Sequence, residues 1–249
     1  MRQAAVLASS CAAIVLTVFA VSHAPVASSG RRQEPAGTKS ATASHMDHHF
    51  ELVTAVHDAV IRGDLPGARN HARALANRPD PAGMPASAEP YLVGLRRAAG
   101  RAANADRPDD VAAASAAMLA ACGDCHRAAG TMPAMPPPAA PGVGGLVGHM
   151  LEHKRAADLM VQGLTVPSAS LWQEGVQALD RAPLRRGDLP YDRKLTRAIA
   201  AEEKRVHELV ARAREAADQR SRIYVYSELM QSCGACHALH GGVWGPDRQ

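Results

Sequence analysis

Apolar residues recur along this chain at alternating steps of three and four, the spacing that holds side chains on one face of an α-helix. Met46, His49, Val53, Val56 and Val60 form one seam, and Met150, His153, Ala157, Met160 and Leu164 form its twin. Tyr91, Leu95, Ala98, Ala102 and Ala105 mark another. Val111, Ser115, Met118 and Cys122 mark a fourth, matched later by Ile223, Tyr226, Met230 and Cys233. No stretch alternates with period two, so the expected class is all-α. The pattern predicts helices near 44–62, 64–77, 87–105 and 108–126, then near 147–164, 168–181, 191–216 and 218–238. Asp64 and Ser168 suit N-caps, because their side-chain oxygens can accept from the first free amides. Pro79, Pro81 and Pro183 stop helices.

The two sets of four are repeats. His45-Met46-Asp47-His48-His49 aligns with His149-Met150-Leu151-Glu152-His153, and Ala74-Leu75 with Ala178-Leu179 at the same offset. An insertion around Arg185 to Pro190 then shifts the register. Residues 131–146 are rich in Pro and Gly, which removes backbone donors and periodicity, so they read as an extended linker. The expected architecture is a tandem duplication of four-helix bundles, residues 44–130 and 147–249. Arg-Gly-Asp-Leu-Pro occurs at 62–66 and 186–190, out of register with the repeat, and reads as a recurring helix start.

The N-terminus changes the compartment expected. Arg2, the apolar run Ala4 to Val21 and the small residues Ser22-His23-Ala24 have the order of an export signal, placed at 1–24. Residues 25–43 carry Ser, Ala, Gly, Pro and charge without period and read as a disordered tether. The expected location is periplasmic or otherwise exported, with membrane contact only through a retained leader. Cys11 lies inside the apolar run and reads as leader filler. The net charge of +4 is too small to argue for nucleic acid.

The remaining four cysteines carry the chemistry. Cys122-Gly123-Asp124-Cys125-His126 and Cys233-Gly234-Ala235-Cys236-His237 each have the Cys-x-x-Cys-His pattern by which haem c is attached. Two thiols bond the vinyl groups, and the adjacent histidine binds the iron. On a helix the three side chains stand at i, i+3 and i+4 and face one way. Zinc would require four ligands, and a thioredoxin-like pair would want a preceding strand. Neither explains a histidine in the fifth place of both copies. Two covalent haem c groups, with His126 and His237 as proximal iron ligands, are therefore expected. Aromatics make up only 3% of the chain, and a large flat apolar group would fill a core built of alanine and leucine.

In an up-down-up-down bundle the first helix starts beside the end of the fourth. The His/Met clusters begin the first helix of each half, facing the cysteine motifs. His49 and His153, on the seam in both halves, are the favoured distal ligands, because a buried imidazole is costly without a partner. Met46 and Met150, one turn earlier, are the alternative. His45 and His149 sit at the flank of the seam, and a five-coordinate iron stays open. His57, His71, His207 and His240 have no twins and read as surface or capping residues. A divalent ion at the surface cluster His45–His49 is a further reading.

A Cys-x-x-Cys-His motif closing a four-helix unit, with a distal residue early in its first helix, resembles class II cytochromes c, the cytochrome c-prime group. The resemblance covers each half once. Class I cytochromes instead carry this motif near the N-terminus with a methionine well downstream, and the second motif here leaves no room for that. The histidines on the first helices depart from the typical distal residue of the c-prime group. The function expected is an exported dihaem carrier exchanging electrons with redox partner proteins. No acid, base or nucleophile constellation points to an enzyme. The alternatives are a binder or sensor of nitric oxide or carbon monoxide at an open site, and a dihaem peroxidase.

Overall fold

The computed structural model describes residues 40–80, 84–181 and 193–239. The leader 1–24, most of the expected tether, Cys11, His240 and the insertion near 185–190 lie outside them. Among the described residues there are eight α-helices and no strand. They are α1 (Ala41–Ile61), α2 (Leu65–Ala76), α3 (Glu89–Asn104), α4 (Pro108–Ala129), α5 (Gly145–Thr165), α6 (Ala169–Asp180), α7 (Arg193–Glu215) and α8 (Gln219–Leu239). Each of the eight predicted helices falls on one of these. None of the described helices is long and apolar enough to cross a membrane.

The ends follow local chemistry. Ser40 caps α1 by accepting from the Ala43 amide at 3.1 Å, so the helix starts three residues earlier than expected and takes in the last residues assigned to the tether. Asp64 caps α2 through the Gly67 amide at 2.9 Å, and Ser168 caps α6 through Leu171. Pro108 opens α4, where its missing N–H costs nothing. Asp109 and Asp110 meet the positive end of its dipole. Gly130 closes α4 in the left-handed conformation at φ 61°, which residues with a Cβ avoid.

Within the first half α1, α2, α3 and α4 are neighbours in order, and α1 also packs on α4. In the second half α5 lies against α6 and α7 against α8, with α6–α7 and α5–α8 contacts between the pairs. The halves are not held apart by their linker. Helices α4 and α8 pack on each other, α5 reaches α4, and α1 reaches α8. One continuous apolar core runs from Val53, Leu75 and Leu119 to Leu159, Trp172 and Met230. Trp172 is fully buried and donates its indole N–H to the Ala213 carbonyl at 2.9 Å. Such a group commits the second half to one packing, since its loss to alanine costs about 3–5 kcal/mol.

The linker is also less free than its composition predicts. Gln162 donates to the Pro136 carbonyl at 2.8 Å, and Thr165 approaches the Met135 sulfur at 3.7 Å. The chain between the halves therefore returns over α5.

Candidate functional site

In the first half the residues singled out by the sequence converge. Met46 and His49 from α1 and Cys122, Cys125 and His126 from α4 line one cavity of about 200 Å³. Tyr91, Leu92 and Leu95 of α3 and the linker residues Pro133 to Pro136 form its other walls. The cysteines and His126 are half-buried on the last turns of α4. Their i, i+3, i+4 spacing brings them to the same cavity.

His126 is aimed by a group that sequence spacing does not reveal. Its Nδ1 lies 2.7 Å from the carbonyl oxygen of Thr165, at the end of α5. A carbonyl can only accept, so Nδ1 carries the hydrogen and Nε2 keeps its lone pair for another partner. This is how ligating histidines are commonly held in one tautomer.

On α1, His49 of the same cavity is 5% exposed, and neither of its ring nitrogens has a hydrogen-bond partner. Burial, with His45 and the positive Arg78 nearby, pushes its pKa down to about 4. The ring is therefore neutral near pH 7, with an unshared lone pair. The His45 ring lies against it, tilted by 52° with ring centres 4.1 Å apart, and its Nε2 is also buried without a partner. The sequence placed His45 at the flank of the seam and Met46 on it. The helix is turned slightly the other way, so that His45 is buried and Met46 half-buried.

The four thiols are partly buried. Burial pushes Cys122 and Cys233 up to about 12 and Cys236 to about 11, and raises Cys125 as well. Uncharged sulfur, as thiol or thioether, suits these positions better than thiolate.

The second half repeats the histidine pair. The His149 and His153 rings lie together with centres 4.2 Å apart, at the same 52° tilt as their twins. Its surroundings differ. Donor atoms of His149, His153 and Glu203 lie within 4.8 Å of one another. Glu202 accepts from the hydroxyl of Ser232, next to Cys233, at 2.7 Å. Counted back from the glycine of each motif, Glu202 and Glu203 stand where the first half has Tyr91 and Leu92. Sequence reasoning passed over both glutamates. Their signal was available, as two charges at places whose twins are apolar. The surface-ion reading of residues 45–49 gains nothing: among the described residues the donor groups that cluster lie elsewhere, and His48 pairs with Glu51 at 3.2 Å.

Each motif is seated on the other half. A Cβ on Gly123 would strike the Leu164 carbonyl oxygen, and one on Gly234 would lie 2.8 Å from the Val60 carbonyl oxygen. Val60 and Leu164 occupy matching places, eleven residues after His49 and His153. The absence of a side chain at the second position of each motif is what allows α4 to approach the end of α5, and α8 the end of α1, so closely.

His57 corrects a further expectation. It is 1% exposed, not a surface residue. Its Nε2 meets the Tyr226 hydroxyl at 2.6 Å and its Nδ1 meets Asp58 at 3.0 Å. Tyr226 in turn donates to the Ala157 carbonyl, and Lys154 pairs with Asp58 at 3.3 Å. This network ties α1, α5 and α8 together. A cation is already present in it as the Lys154 ammonium.

Protein-family models, curated proteins and solved structures were all compared with this chain, and none matches it.

Proposed function

We propose that this chain is an exported dihaem cytochrome c that carries electrons between redox partner proteins. In this reading it is two repeated four-helix units, each holding one haem c. The first-half cavity carries the reading. The same cavity is lined by two cysteines and an imidazole already fixed through Nδ1, from α4, and by a neutral buried imidazole whose nitrogens are unpartnered, from α1. Such an orphaned pair of nitrogens is costly unless a partner arrives. Iron between His126 and His49 would be that partner.

Cys122 and Cys125 would hold the first haem and Cys233 and Cys236 the second, with His126 and His237 proximal. His49 and His153 would be distal, and Met46 and Met150 the residues next in line. Bound haem supplies a one-electron couple between ferric and ferrous iron. The chain does the rest. The Thr165 carbonyl fixes the tautomer and direction of His126. Tyr91, Leu92 and Leu95 exclude water from the first site. The shared core holds both sites in one body, so little reorganisation accompanies a change of charge.

The test is to express the full chain in a host that attaches haem c and record its spectra. The expected result is two haems per chain by mass, both low-spin in absorption and resonance Raman. No covalent haem would overturn the reading. Haem with two high-spin irons would replace the carrier by a ligand binder, and one iron of each kind would favour the peroxidase.

A further inference from the structure

The first helices of the two repeats have diverged almost everywhere. Helices α1 and α5 each have 21 residues and pair without a gap, Ala41 with Gly145 through to Ile61 with Thr165. Only three of these pairs hold the same residue: His45 with His149, Met46 with Met150, and His49 with His153. Even core positions have changed. Buried Val56 has Met160 as its twin, and buried Val60 has Leu164. Three residues kept while the rest of the helix changed point to a shared task.

Two of the three, Met46 and His49, line the first cavity, and His45 does not. His45 is 7% exposed and is packed instead on the ring of His49. Residues four apart on a helix are neighbours on one face, which brings the rings together. The pair in the second half keeps the same 52° tilt, although Leu151 and Glu152 stand between its members where Asp47 and His48 stand in the first.

What this contact does follows from what His49 lacks. Rotation of a histidine ring about its Cβ–Cγ bond is soft. At His126 a hydrogen bond from Nδ1 to the Thr165 carbonyl stops that rotation. Neither nitrogen of His49 has such a partner, so packing alone sets the plane of its ring, and the His45 ring is packed on it. Alanine at position 45 would leave that side open. Histidine there is itself unfavourable, because its Nε2 is buried without a partner. Its presence calls for a compensating use.

We propose that His45 and His149 are positioning residues, each holding the ring plane of the distal ligand one turn later, His49 and His153. This rests on the dihaem reading above. The plane of an axial imidazole decides which iron d orbitals its π electrons meet. A ring held in one plane gives the iron one ligand field, which suits a site that changes charge without rearranging.

The experiment is low-temperature EPR of the full-length, haem-loaded ferric protein, since the g values of a low-spin haem report the angle between its ligand planes. His45→Ala should shift and broaden the highest g value of one haem, leave the other in place, and keep both low-spin in absorption. His149→Ala should do the same to the other haem. His45→Phe, which keeps a flat ring, should restore the parent signal, as a loss of folding would not allow. An unchanged signal in either alanine variant would overturn the proposal, and so would a failure of His45→Phe to restore it. High-spin iron in His45→Ala would overturn it too, by making His45 the ligand. His49→Ala, recorded alongside, separates the two claims: loss of one low-spin haem identifies the ligand whose plane is measured. A chain without haem, or one in which His49→Ala leaves both haems low-spin, fails at the earlier reading and takes this proposal with it.

Discussion

The imidazole of His126 is held by the carbonyl of Thr165, a residue of the other half, at 2.7 Å. A motif histidine in one half thus takes its orientation from the first helix of the second. Gly123 and Gly234, each pressed on the opposite half, show that the crossing is reciprocal. The chain behaves as one body made from two repeats, not as two beads on a linker.

Adding one methyl group at this crossing should be costly. Gly123→Ala places a Cβ against the Leu164 carbonyl, and the backbone there cannot swing aside as a side chain would. A loss of about 1–3 kcal/mol is expected, as for overpacking generally, together with a perturbed spectrum of the first haem. Gly100→Ala, in α3 with open space around its Cβ position, should instead gain about 0.5–1 kcal/mol. Urea unfolding of both variants checks the pair.

His49 should be separable from Met46. In the loaded protein His49→Ala should convert one of two low-spin haems to high spin, while Met46→Leu leaves both unchanged. Resonance Raman spin-state bands decide this. The reverse pattern would move the distal assignment to the methionines.

The buried network around His57 should be worth measuring by itself. Tyr226→Phe removes the hydroxyl that meets His57 at 2.6 Å and the Ala157 carbonyl at 3.2 Å. The ring stays, but buried polar atoms lose their partner, so a loss of about 1–3 kcal/mol is expected. Denaturant midpoints of parent and variant give the value.

Acid should act partly through Asp58. Burial alone would raise its carboxyl, but the hydrogen bond from His57 and the charge of Lys154 outweigh burial and hold it below 3.8. A carboxyl lowered in the folded state gives stability that is present above its unfolded pKa, near 4. That stability is lost as pH falls through the lower folded value. Unfolding free energy should therefore drop with falling pH below about 4, and the drop should be shallower in Asp58→Asn. Titration of stability against pH in the two proteins tests the sign.

Much was legible beforehand. Helix faces follow from local spacing, so all eight helices, their caps at Asp64 and Ser168, and the shared face of Cys122, Cys125 and His126 could be read from the chain. The duplication also told which end of α1 should lie near the end of α4. His57 was misread because the argument relied on a twin. Its counterpart Val161 is apolar, and nothing local tells that Tyr226 of α8 will cover it. Residues 131–146 read from composition as an extended linker, while two side chains of α5, Gln162 and Thr165, hold it at Pro136 and Met135.

The sequence by itself determined the all-helical class, the twofold repeat, the cysteine motifs and the paired histidines, because each depends on residues within a few turns of one another. The tertiary structure decided which carbonyl orients His126, which half seats each motif, and that Glu203 stands beside the second histidine pair while Leu92 lines the first cavity. Those relations join residues far apart in the chain. They are set by how α4 seats on α5 and α8 on α1, where shape, burial and the room left by two glycines select one arrangement that no local spacing specifies.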